Sequence, residues 1–252
     1  MSIDITDILN EWEFDPDDQY RVVPARDGRD VLQVRQPLGI EQYELDGRPD
    51  GSTPFGKESM LDEMTNRLSA YQYRHGNDAG FKIDRDEFAL LQNEGVLYYY
   101  RYYILFQIGD YERTSMDTNH NLKICEIVER YAHQDDKNDI LQFRPYILRM
   151  NATARAMVLL GEGQRPQACA VLERAIQDVR RLPEVDTPTF HFERVRSLQY
   201  LRAALREIKA NKVRPPVDRL RLELRKAVNN EEYERAAQLR DRIRDLTKAD
   251  DD

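Results

Sequence analysis

Residues 84–110 read DRDEFALLQNEGVLYYYRYYILFQIGD, and this stretch sets the fold class. Asp84 with Glu87 three residues on has the form of a capping box, so a helix is predicted over 85–108 with Gly109 as its stop. Within it, Tyr98 to Tyr103 places five tyrosines and Arg101 in six consecutive positions. Consecutive helical residues point all round the axis, so some of these rings face a core and others face solvent, a neighbouring helix or a ligand. Stacking on bases or sugars is one use of such a run. A buried central helix whose hydroxyls bond to neighbours is the preferred reading.

Downstream the text stays helical. Leu122, Cys125, Val128 and Ala132 stripe the next helix. A helix predicted from about Asn138 to Leu160 contains Pro145, which must kink it or begin a new segment. Ala168, Val171, Leu172, Ala175, Ile176 and Val179 form the cleanest stripe, and Val195, Leu198, Leu201, Leu205 and Ile208 form another. The segment 154–179 resembles one tetratricopeptide unit, so the body is expected to stack antiparallel, TPR-like helix pairs. A peptide groove and a plain closed bundle are both compatible with that.

Upstream, Leu61, Met64, Leu68 and Tyr71 predict a helix closed at His75-Gly76-Asn77. Before the turn-rich 47–56 stretch the period changes to two. Tyr20 to Ala25, Val31 to Gln36 and Ile40 to Leu45 read as three strands, with turns at Asp27-Gly28 and Pro37-Leu38-Gly39. Such a meander needs helices over one face to be stable. Ile5, Ile8, Leu9 and Trp12 add a short amphipathic helix. The predicted class is therefore mainly α (α+β). The predicted divisions are 1–56 (helix and antiparallel meander), 57–213 (helical body), 214–248 (two-helix hairpin) and an acidic tail, 249–252.

The 252 residues carry a net charge of −8, all of it accounted for by residues 1–56, where thirteen acids face five arginines. An acidic front end disfavours broad wrapping of nucleic acid, though a local basic patch could still hold a strand. No apolar run approaches the length of a membrane span and no secretory signal is evident, so a cytoplasmic location is expected. Cys125 and Cys169 form no CxxC pair, and His75, His120, His133 and His191 have no ligand spacing, so no metal is expected. No Walker-type loop or GxGxxG suggests a nucleotide, and no cofactor is expected. Asp117 and His120, three apart, could form an acid–base pair, but helix capping by the cluster 117–121 is the preferred reading, and the chain is expected not to be an enzyme. The loop 47–51 reads as an exposed turn in the acidic region that could bind a partner, with a simple connector as the default.

Past the Arg214-Pro215-Pro216 break, Asp218 can cap a helix bearing Leu220, Leu224, Ala227 and Val228, and Asn229-Asn230 ends it. A second helix runs Tyr233-Glu234-Arg235-Ala236-Ala237-Gln238-Leu239-Arg240-Asp241-Arg242-Ile243, with Leu246 beyond. This pattern, aromatic-Glu-x-Ala-Ala-x-x-Arg-Asp-x-Ile-x-x-Leu, resembles the UVR motif, the hairpin through which the excinuclease subunits UvrB and UvrC meet; Tyr233 stands where phenylalanine is usual. Similar hairpins occur in Clp-type unfoldases and McsA-type kinase activators. Across its length the chain also resembles a group of bacterial proteins with a C-terminal UVR motif, through Asp27-Gly28-Arg29, Asp46-Gly47-Arg48-Pro49-Asp50-Gly51, Tyr98 to Tyr102 and Arg144-Pro145-Tyr146. That resemblance implies an architecture and a bacterial cytoplasm, and no chemistry.

At 100° per residue the apolar arc of the second helix spans about 180°, more than one partner helix covers. Leu220, Leu224 and Val228 can bury part of it. Arg240 falls inside the arc, where its stem would cross apolar surface toward a carboxylate. The expectation is a non-enzymatic adaptor docking a protein partner through Leu220, Leu224, Tyr233, Glu234, Ala236, Ala237, Arg240, Asp241 and Ile243. The partner would be a UVR-bearing excinuclease subunit, a Clp-type unfoldase, a kinase or a second copy of the chain. Docking of the hairpin on the protein's own body is the competing view. The alternative function is an accessory factor of nucleotide-excision-type DNA repair that touches nucleic acid through Arg174, Arg180, Arg181, Arg214, Arg219, Arg221 and Arg225.

Overall fold

The computed structural model describes residues 4–210, 220, 223, 224, 227 and 233–248, with side chains in the last stretch from 235 to 244. These fall into two compact units, 1–144 and 145–252.

In the first unit, α1 (Thr6–Asn10) precedes an antiparallel sheet of β1 (Tyr20–Pro24), β2 (Asp30–Gln36) and β3 (Gly39–Glu44) in the order β1-β2-β3. Gly28 has φ 88°, the left-handed geometry that the β1–β2 turn requires. Leu32 pairs with Tyr43 across the sheet, and these two, with Val34 and Leu45, form one apolar face. That face is covered by Ile104 and Leu105 of α3 (Arg85–Ile108), the support a three-stranded meander needs. A 3-10 turn at Pro54–Gly56 leads into α2 (Met60–His75), whose N-cap is Ser59, accepting from the Asp62 amide.

α3 opens and closes as its sequence dictates. Asp84 accepts from the Glu87 amide and Glu87 from the Asp84 amide, completing the capping box. Gly109 closes the helix at φ 85°, its amide reaching the carbonyls of Leu105 and Phe106. Asp110 then caps α4 (Tyr111–Tyr131), so α3 and α4 pack antiparallel through a two-residue connection. Met60, Leu61 and Met64 of α2, Phe88 and Leu91 of α3, and Ile124, Ile127 and Val128 of α4 form the main core with Phe81 and Ile83. α5 (Gln134–Leu141) completes the unit.

Pro145 starts a new helix instead of kinking an old one. α6 (Arg144–Gly161) carries it at its second position, in the first turn, where a missing amide costs no hydrogen bond. In the second unit, Ala152, Ala156 and Leu160 of α6 pack on Leu172, Ile176 and Val179 of α7 (Arg165–Arg181) and on Leu201 and Ile208 of α8 (Pro188–Lys209). α7 and α8 run antiparallel, held at one end by Arg165 donating to the Ile208 carbonyl and at the other by Arg194 donating to that of Arg180. The α8 stripe needs correction: Val195 is 57% exposed, and the buried face runs through Phe190, Ser197, Leu201 and Ile208. Val195 lies six residues before Leu201, about 120° off that face, whereas the eleven-, four- and seven-residue spacings stay within about 40° of it. Arg149 of α6 is buried between Tyr146 and Tyr200, with Glu193 3.5 Å away. Its Nη1, and the Ser197 hydroxyl, have no hydrogen-bond partner among the described residues.

Candidate functional site

The C-terminal hairpin pairs a segment in which Leu220, Glu223, Leu224 and Ala227 are helical with α9 (Tyr233–Lys248). Leu220, Leu224 and Ala227 recur at i, i+4 and i+7 and so share a face, as do Ala236 and Leu239 on α9. Ala227, Ala236 and Leu239 are buried against one another, with Leu220 and Leu224 half-buried around them. Alanines at 227 and 236 let the two backbones approach closely.

The cover is one-sided. The buried pair Ala236 and Leu239 lies on one flank of α9, with the half-buried Ile243 within about 40° of both, whereas Ala237, about 100° from Ala236, is only half-buried, as is Asp241 on its side of the helix. Arg240 does not lie over apolar surface as its position in the arc suggests. Its side chain is 68% exposed and pairs with Asp241, to which Arg244 also reaches at 3.4 Å. The neighbouring Asp241 carboxylate draws the guanidinium outward, where water solvates it. The side chains of Tyr233, Glu234 and Leu246, together with Asp218, Val228 and Asn229-Asn230, lie outside the described residues.

The polar cluster 117–121 proves to be something other than a cap. It sits in the middle of α4, with Asp117, Thr118 and Asn121 buried, while Asp110 performs the capping. Asp117 takes a bidentate pair from Arg101 at 2.6 and 2.8 Å, and Arg101 also donates to the Glu44 carbonyl. Burial pushes the Asp117 carboxyl above its ordinary value, against the pull of Arg101. His120 turns to a different carboxylate, Glu94, and stacks on Tyr98 at 3.8 Å between ring centroids.

Glu94 is fully buried and accepts four hydrogen bonds. Arg48 (2.8 Å) and the Met60 amide (2.6 Å) reach one oxygen; the Leu61 amide and His120 (3.0 Å each) reach the other. Burial disfavours the charge, but the donors from His120, Met60 and Leu61 outweigh it and hold the carboxyl below its ordinary value. The two amides open α2, so the carboxylate also faces the positive end of that helix. The turn 47–51 is thus no mere connector: Arg48 ties it to α3, and Tyr98 donates to the Gly47 carbonyl. Sequence reading missed Glu94 and Arg48; the signal was a lone acid among apolar residues of α3. Within the tyrosine run, Tyr98 and Tyr102 are buried, while Tyr99, Tyr100 and Tyr103 are 38–50% exposed.

Arg174 and Arg181 line a shallow groove on α7 together with Glu173, Gln177 and Asp178, so that patch is mixed in charge. Arg180 is exposed on the same helix; Arg214, Arg219, Arg221 and Arg225 lie outside the described residues. Among the described residues no cluster of His, Cys, Asp and Glu has the makings of a metal site, and no helix is long and apolar enough to cross a membrane.

Comparison with known families places the UvrB/uvrC motif on residues 216–249, a span that contains the described residues of the hairpin. The chain is therefore a mainly helical protein that carries this motif behind an N-terminal three-stranded sheet. No curated protein and no solved structure matches it.

Proposed function

We propose that the protein is a non-enzymatic adaptor that docks a partner protein through its C-terminal hairpin. The match of residues 216–249 to the UvrB/uvrC motif carries this reading. The half-covered Ala237 beside the sealed Ala236 and Leu239 supports it, because a second hairpin laid against that flank would complete a four-helix bundle. The partner is another motif-bearing protein of the excinuclease, Clp-type unfoldase or kinase-activating systems, or a second copy, in a bacterial cytoplasm. The helical body, with its tetratricopeptide-like segment 154–179, serves as scaffold. Affinity capture from the native cell with wild type and with Tyr233→Asp and Ala237→Glu tests the reading. Loss of the captured partner in both variants is expected; unchanged recovery with folded variants removes the hairpin from the interface.

A second reading, an accessory factor of DNA repair contacting nucleic acid directly, draws support from charge partition. Residues 145–252 hold 22 basic and 17 acidic side chains, net +5, whereas 1–144 hold 16 and 29, net −13. Fluorescence anisotropy with labelled single- and double-stranded DNA across a salt series tests it. Binding that weakens steeply with salt is the expected signature, and no binding at low salt rejects it.

A further inference from the structure

Two exposed surfaces of this chain complement each other in charge and in hydropathy. One is the N-terminal arm, residues 4–18. It carries seven acids and no base, and α1 within it has no buried residue. Ile5 and Ile8 are 47% and 51% exposed, and Leu9 and Trp12, on the same helical face, are only half-buried. A helix of five residues does not hold together in water by itself, so its apolar face calls for a cover. The base of the arm is fixed: Arg35 donates to the Trp12 carbonyl at 2.6 Å, and the Arg21 guanidinium lies 4.0 Å from the Trp12 ring centroid.

The other surface is the outer face of α8. Phe192, Val195 and Tyr200 are 62%, 57% and 46% exposed and fall within about 80° of one another's mean direction. Arg196, Arg202 and Arg206 share that face, with Glu207 as its acid. Arg202 and Arg206 make no ion pair among the described residues. Arg196 is already paired with Glu193 at 3.5 Å, so the result is an apolar centre bordered by two guanidinium groups, Arg202 and Arg206, with no ion pair among the described residues, the inverse of the arm.

We infer that the arm of one copy docks on α8 of a second copy, Ile8 and Trp12 against Phe192 and Val195 and the arm's carboxylates against Arg202 and Arg206. Charge selects this occupant. The arm is repelled by the acidic 1–144 unit of any copy and attracted by the basic 145–252 unit. Each copy offers one arm and one face, so a two-fold dimer would satisfy both reciprocally. The hairpin has no part in it, so the inference stands apart from the adaptor reading.

Sedimentation velocity on the full chain tests it, with Ala237→Glu present throughout to remove self-association by the hairpin. A concentration-dependent dimer that weakens as salt rises is expected. Ile8→Asp and Phe192→Asp, both at exposed positions, each raise the dimer dissociation constant at least about tenfold while leaving unchanged the melting curve taken at dilutions where wild type is monomeric. Mixing the two variants restores association, because the hetero-pair retains one intact arm on one intact face. A chain that stays monomeric to about 100 μM, a dimer indifferent to both substitutions, or a mixture that fails to associate overturns the inference.

Discussion

Replacing Glu94 by alanine should be the most damaging single change in the first unit. The substitution leaves Arg48 and His120 without their shared carboxylate and strands the Met60 and Leu61 amides at the start of α2. Removing one partner of a buried ion pair costs about 3–5 kcal/mol, because the surviving charge stays desolvated. For a protein of this size about 2–4 °C of melting temperature accompanies each kcal/mol, so the loss should be about 6–20 °C. Glu94→Gln keeps the shape but turns an amide NH2 toward two of the four donors, and should cost about 1–3 kcal/mol. Thermal unfolding followed by far-UV circular dichroism and by the emission of Trp12, the only tryptophan, reads both. The order wild type, glutamine, alanine is the signature. An alanine variant melting within about 2 °C of wild type would refute the argument that this carboxylate joins the turn, α2, α3 and α4.

The pH dependence follows from the same group. Its folded pKa is depressed, so its contribution is present above the ordinary carboxylate value of 4.5 and is lost as pH falls through the folded value. Wild type should therefore destabilise more steeply on acidification than Glu94→Gln; Asp117, shifted the other way, is common to both and cancels in the comparison. Burial pushes the Cys125 thiol up to about 12, so a thiol reagent at pH 8 should modify at most Cys169 in the native protein and both cysteines after denaturation. Arg149→Met together with Glu193→Leu should change stability by no more than about 1 kcal/mol or should raise it, measured by urea unfolding, since the pair sits at 3.5 Å with unsatisfied atoms around it. Leu239→Ala should open the hairpin, costing about 2–3 kcal/mol and speeding tryptic cleavage within 214–248.

The sequence by itself determined the local structure. The capping box at Asp84 and Glu87, the glycine stops at 76 and 109 and the period-two strands all depend on backbone hydrogen bonding within a few residues, which side-chain identity and spacing dictate. The C-terminal motif was legible for the same reason: two short amphipathic helices declare their shared face by spacing alone. What only the tertiary structure decided was which charges meet. Nothing in the spacing joins Arg48 to Glu94 across 46 residues, or turns His120 toward Glu94 and Asp117 toward Arg101, because those partners come together only when α3, α4 and the 47–51 turn pack. Periodicity also overreached at Val195, where a stripe drawn through every third or fourth apolar residue ran off the face that α7 covers. Burial is a property of the neighbouring helix as much as of the residue, and for that reason one flank of α9 is sealed while Ala237, equally apolar, is only half covered.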